Sequence, residues 1–345
     1  TLAAMEALAD FGTVEFLGVP TFTTGIFRTW FGMNDTVTAT QMATLLLSIV
    51  FIFVFIEQQS RRKVRYSENI KTQSKLKYKV TSKKNNFYII TICSLPLLFG
   101  FIIPFFQLIY WSIFVSREAW DIDFLHIIRN TIILSFCAAL IISAISILIT
   151  YVKRFNPNSI TNKVMQIITL GYAIPGPVVA IAVLIPFATF DNYLNQLLIS
   201  KFNYSIGLIF SGSFFILIFA YCIRFLTVSS RTIKTGLDSI SLSTDEAAKS
   251  LGASTTTILG KIHFPMLKTS LLTSFLIVFI DVMKELPLTS ILRPFNFNTL
   301  SVKAFELASD EKIADASNAA IMIVLAGIIP VIIITKNILG KRNKV

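Results

Sequence analysis

The stretch TIILSFCAALIISAISILITY, Thr131–Tyr151, decides the fold class. It carries no charged side chain, and as a helix it covers about 30 Å, the thickness of a bilayer's hydrocarbon core. Lipid offers no partner to backbone N–H and C=O groups, so an apolar run of this length must be helical. Working outward, Thr36–Ile56, Phe87–Phe114, Val164–Phe190, Ile206–Ile223 and Asn318–Thr335 are also uncharged and long enough to span. Thr269–Leu292 joins them apart from Asp281, Lys284 and Glu285, and Thr1–Leu8 reads as the end of one more helix. The whole chain agrees: of 345 residues 54% are hydrophobic and only 14% charged, with mean hydropathy +0.71. A soluble domain carries about 25% charged residues, enough to cover a water-facing surface. A soluble enzyme, a disordered chain and a disulfide-stapled secreted domain are therefore excluded. The expected class is an all-α polytopic membrane protein.

Basic residues orient the spans. Between Glu57 and Asn86 lie Arg61, Arg62, Lys63, Arg65, Lys71, Lys75, Lys77, Lys79, Lys83 and Lys84. Placing that segment in the cytoplasm and alternating puts 23 of the 31 basic residues, but 5 of the 19 acidic ones, on the same side. The C-terminus is then cytoplasmic. The net charge of +12 reflects this asymmetry, so no nucleic-acid partner is expected; the partner implied is the lipid bilayer. Cys93, Cys137 and Cys222 each sit in an apolar run and are expected as buried thiols. His126 and His263 are far apart, and neither a metal site nor a catalytic constellation can be built from them.

An internal repeat appears at an offset of 275. Glu6 falls on Asp281, Asp10 on Glu285, Phe22 on Phe297, Thr24 on Thr299, Arg28 on Lys303, Asp35 on Asp310 and Ala39 on Ala314. A long apolar helix follows in both copies. An even number of spans per period gives a parallel repeat about an axis along the membrane normal. The expected division is the end of a first unit over 1–57, a basic linker over 58–86, and a complete six-helix unit over 87–340. The chain thus reads as N-terminally truncated.

Residues 227–268 form a cytoplasmic segment with helix signals. Ser243 and Thr244 precede Asp245 and Glu246, acids suited to a helix N-terminus. Gly252 breaks that helix. Ser254 or Thr255 then caps a second helix expected to end at Pro265. Glu246-Ala247-Ala248, Gly252, Ile262 and Pro265 fall at the spacing of the EAA motif, with Phe264 where leucine is usual. The chain resembles the permease of a binding-protein-dependent ABC importer. Ala9–Glu15, Thr21–Ile26, Lys284–Pro287 and Arg293–Phe295 are similar to matching segments of fused two-unit iron(III) importer permeases.

The resemblance implies a type I, MetI-like helical bundle in the bacterial inner membrane. It implies two copies of an ABC ATPase subunit docking on the EAA segment, and a periplasmic binding protein that delivers the substrate, ferric iron. The chain has no G-x-x-x-x-G-K-S/T phosphate loop. It is therefore expected to be a transport subunit rather than an enzyme, with no cofactor of its own. Ionisable groups inside membrane segments mark functional sites by default. Asp281 and Glu285, one turn apart on one helix face, and their counterparts Glu6 and Asp10 are candidate pathway carboxylates for a hard cation; the local alternative pairs Asp281 with Lys284. Pro175-Gly176-Pro177 and Pro186 interrupt Val164–Phe190 as a hinge or a packing kink. The competing readings are a permease for another small solute such as thiamine, an ion-coupled secondary transporter, and a scaffold subunit. Co-purification with an ATPase separates the ABC reading from the last two.

Overall fold

The structure is a computed structural model that describes residues 7–62, 83–117 and 120–342. Glu6 and most of the basic linker lie outside the described residues. Among those described there is no strand, and seven helices are long and apolar enough to cross a membrane.

Short helix α1 (Gly12–Phe16) and α2 (Phe22–Phe31) lead into the membrane-length α3 (Thr36–Arg62). Helix α4 (Lys83–Leu97) passes through a π turn at Leu98–Ile102 into α5 (Ile103–Phe114). Then come α6 (Ile122–Phe155), the short α7 (Ser159–Leu170), α8 (Gly176–Phe202) and α9 (Phe214–Asp238). The EAA helix is α10 (Leu242–Ser250), followed by α11 (Phe264–Met283), α12 (Pro287–Leu292), α13 (Leu300–Ser309) and α14 (Ile313–Arg342).

The centre is a bundle of α6, α9 and α11. Ala138, Ala139, Ala220 and Val278 are fully buried there and let the backbones approach closely, as in other membrane bundles. Ser229 meets Ser274 at 2.7 Å across α9 and α11, and Ser230 donates to Ser146 at 3.3 Å across α9 and α6. Helix α8 packs on α9 and α12, and α14 packs on α11 and α5. The N-terminal helices α2 and α3 close on α8 through Ile26, Ala39, Ala43 and Leu46 against Val178 and Ile181. With 34 residues, α6 is about 51 Å long. It overshoots the hydrocarbon core and carries Lys153 and Arg154 out beyond it, at the end where cations suit the helix dipole.

Three expected spans are corrected. Val164–Phe190 is not one helix: α7 stops at Leu170, and the chain turns before Pro175 caps α8, whose span is Gly176–Phe202. The break is therefore a helix start, while Pro186 lies inside α8. Residues 206–213 are not helical, and the span begins at Phe214. Thr269–Leu292 divides at Lys284 into α11 and α12. Cys93 and Cys137 are exposed on membrane-length helices rather than buried, and Cys222 is half-buried against the central core.

The segments that precede α3 and α14 are built alike. Thr23 Oγ1 donates to the Asp10 carbonyl at 2.7 Å, and Ser301 Oγ donates to the Glu285 carbonyl at 2.9 Å. Thr21 and Thr299 hold the N-cap positions of α2 and α13, and Thr21 accepts there from the Thr24 N–H. Gly18 and Asn296 have positive φ before those helices, as do Asn34 and Glu311 after them. The offset of 275 therefore holds only as far as α12. Three extra residues before Asn296 raise it to 278, so Thr21 rather than Thr24 matches Thr299, and Arg28 matches Glu306 rather than Lys303; it falls to 277 at Asn34 and Glu311. Each copy also has an ion pair thirteen residues apart with reversed polarity: Glu15 with Arg28 at 3.2 Å, and Arg293 with Glu306 at 2.8 Å.

Candidate functional site

The EAA helix starts earlier than expected. Ser241, not Ser243 or Thr244, is its N-cap, accepting from the Ser243 N–H at 3.3 Å. It ends in a Schellman arrangement, with Ala253 N–H donating to Ala248 O at 3.0 Å and Gly252 N–H to Lys249 O at 2.9 Å. Gly252 has φ +81°, which glycine adopts without the clash a Cβ would meet. Ser254 caps the next turn through Thr257 N–H at 3.2 Å. That turn does not end at Pro265. It continues through a π turn at Ile258–His263 into α11, one helical run from Thr255 to Met283. Proline has no N–H and its ring crowds the carbonyl four residues back, and the wider π turn opens the ladder there. Ile262 is half-buried and Pro265 exposed, whereas Ile258 is fully buried.

One face of α10 is pinned and the other is open. Asp245 and Ala248 point inward, while Glu246 and Ala247 are exposed beside Leu242 and Leu251. Leu251 is 89% exposed, on a segment beyond the membrane-length helices. The pin is a buried ionic cluster. Arg154 Nε donates to Asp245 Oδ2 at 2.8 Å, and His263 Nε2 lies 2.7 Å from Asp245 Oδ1. The remaining Arg154 nitrogens donate to carbonyls at the end of α9, Leu237 O and, at 2.8 Å, Ile240 O. Burial raises the Asp245 pKa, but the hydrogen bonds from Arg154 and His263 outweigh it and hold the carboxyl below the usual aspartate value.

The candidate pathway carboxylates divide. Glu6 lies outside the described residues. Asp281 lies in the last turn of α11 and pairs with Lys284 Nζ at 3.0 Å. Glu285 is not on the same helix face, because α11 stops at Met283. It accepts from Arg224 Nη1 at 2.9 and 3.0 Å and from Leu288 N–H at 3.0 Å. A Cβ on Gly176 would sit 2.4 Å from Arg224 Nη1 and 2.9 Å from Glu285 Oε1, so any larger residue there displaces this pair. Asp10 and Glu285 line one cavity of about 1150 Å³ between the N-terminal segment and α9, α12 and α13, with Glu15, Arg224, Lys284 and Glu311. Asp281 does not line it.

Reading the sequence alone missed Arg224, Arg154 and His263. Arg224 was open to discovery, since it continues the apolar run Ile206–Ile223 and a charge there calls for a partner.

The described residues thus form a helical bundle with seven membrane-length helices, a helical knob beyond them and a charged cavity between two similarly built segments. Comparison with known proteins supplies the family. The profile described as "Binding-protein-dependent transport system inner membrane component" matches residues 142–344, and the chain belongs to that family. It is 26% identical over 339 residues, 97% of its length, to the Fe(3+)-transport system permease protein FbpB 2 of Haemophilus influenzae. The chain spans 64% of that relative's length. In fold it is similar to a bacterial alginate ABC transporter solved in complex with its alginate pentasaccharide-bound periplasmic protein, with TM-score 0.53 and 15% identity, covering 73% of this chain and 91% of the other. A second structure, of a bacterial ABC transporter involved in import of alginate, matches with TM-score 0.52 and 16% identity over 75% and 96% of the two chains. The fold is thus the MetI-like bundle of ABC importer permeases.

Proposed function

We propose that this chain carries the pathway for ferric iron handed over by a periplasmic binding protein, and that a separate ATPase drives it by docking on α10. The observation that carries the docking assignment is the outward face of that helix. Glu246 and Ala247 stand open there between Leu242 and Leu251, two exposed apolar side chains on the one short segment. A short helix held by a buried ionic cluster transmits a rigid push, where a flexible tether would absorb it.

Positive-inside placement puts α10, the basic linker over 58–86 and the C-terminus in the cytoplasm. Residues 1–57 act as the end of one permease unit and 87–340 as the next, and a two-unit permease takes two ATPase copies. Iron is supported by the printed name of the FbpB relative at 26% identity; of the cavity's carboxylates, Glu15 and Glu285 are engaged by Arg28 and Arg224, and the described residues hold no cluster arranged as a metal site.

The test is uptake in proteoliposomes holding the full-length permease, its ATPase and its binding protein. Radiolabelled ferric iron is expected to accumulate with ATP. Glu246→Lys and Gly252→Pro are expected to abolish uptake and loosen ATPase co-purification while membrane insertion stays normal. Normal transport by both variants overturns the docking role; accumulation of thiamine in place of iron overturns the substrate.

A further inference from the structure

We propose that Asp245 is a positioning residue: with Arg154 and His263 it clamps the EAA helix to α6, α9 and α11 at once, so that these four helices move as one body. This rests on the docking role of α10 proposed above.

The geometry is unusual for a cytoplasmic helix. The side chains are 7% exposed for Asp245, 9% for Arg154 and 0% for His263. Each comes from a different element: Asp245 from α10, Arg154 from the end of α6, and His263 from the π turn that opens α11. Arg154 also ties down the end of α9 through Leu237 O, which shares it with Ile240 N–H, and through Ile240 O just beyond the helix. A planar guanidinium suits this role, because its fork meets a carboxylate and neighbouring carbonyls together, as an ammonium cannot.

The tied helices run on to the cavity. From Leu237 back to Arg224 along α9 is about 20 Å, and from His263 to Met283 along α11 is about 30 Å. Arg224 and Glu285, held together at 2.9 Å, stand at those far ends. A push on α10 therefore reaches the pair through two mutually packed rods that cannot slip at their near ends while Asp245 is charged.

Two readouts test this in the full-length permease with its native cysteines replaced by serine. Spin labels at the exposed positions Ser250 and Thr235 report the α10-to-α9 distance without any ATPase. A single narrow distribution is expected for the parent, at least doubling in width for Asp245→Asn and for Arg154→Gln. In proteoliposomes with ATPase and binding protein, the same variants are expected to hydrolyse ATP within about twofold of the parent yet lose about tenfold in substrate taken up per ATP. Asp245→Glu is expected to recover part of that loss. Unchanged distributions in both variants, or unchanged uptake per ATP, overturn the clamp; should one variant fail to insert, the other decides. An ATPase that does not bind the parent overturns the docking role, while the distance measurement still judges the clamp.

Discussion

Arg224 and Glu285 illustrate how a single buried ion pair constrains its surroundings. Removing one partner strands the other away from water, at a cost of about 3–5 kcal/mol. Glu285→Ala is therefore expected to lower the thermal midpoint of the detergent-solubilised protein more than Glu285→Gln, which keeps an acceptor for Leu288 N–H. Gly176→Ala forces the Arg224 guanidinium aside, and iron uptake is expected to fall even though the protein inserts. Asp245 adds a pH dependence with a definite sign. Its folded pKa is depressed, so its stabilisation is present above the unfolded value of about 3.9 and is lost as pH falls through the lower folded value. A melting series is expected to show no Asp245 contribution to the slope between pH 7 and 5, and an acid-side decline that Asp245→Asn reduces. At this scale the EAA spacing could be read because it is local, and the structure places Glu246, Ala247 and Ala248 on one short helix that ends at Gly252. The clamp and the cavity pair could not be read this way: Arg154 lies 91 residues from Asp245, and Arg224 lies 61 from Glu285.

Among elements, the turn after α10 is the most sensitive to backbone chemistry. Gly252→Ala puts a Cβ into the left-handed region, at roughly 1–2 kcal/mol, whereas asparagine visits that region more readily. Gly252→Pro cannot reach φ +81° and also removes the N–H that closes on Lys249 O. Uptake is expected to decline in the order Gly, Asn, Ala, Pro, measured at equal expression. The helix break after Ser250 was readable from Gly252. The continuation through Pro265 was not, because a proline signals a stop unless a π turn accommodates it, and the turn depends on tertiary packing around buried Ile258 and His263. The same applies to Pro175, where an apolar run long enough to span proved to hold the end of one helix and the beginning of another.

For the whole molecule, hydropathy was sufficient to find the seven membrane-length helices among the described residues, since lipid imposes helices whatever their side chains pack against. Their ends were less legible, because an uncharged run continues into turns such as 206–213. Native mass spectrometry of the full-length permease complex is expected to show two ATPase copies; a single copy would contradict the two-unit reading. The repeat carries a last implication. Because the Glu15–Arg28 and Arg293–Glu306 pairs sit at corresponding places with their signs interchanged, each copy is electrically self-contained. Transplanting a whole segment would bring both members of its own couple along, but a lone residue borrowed from the sister copy would set two like charges face to face. What the two copies share at this place is thus the attraction rather than the identity of either charge, and because both couples are partly exposed each is worth no more than about 1 kcal/mol.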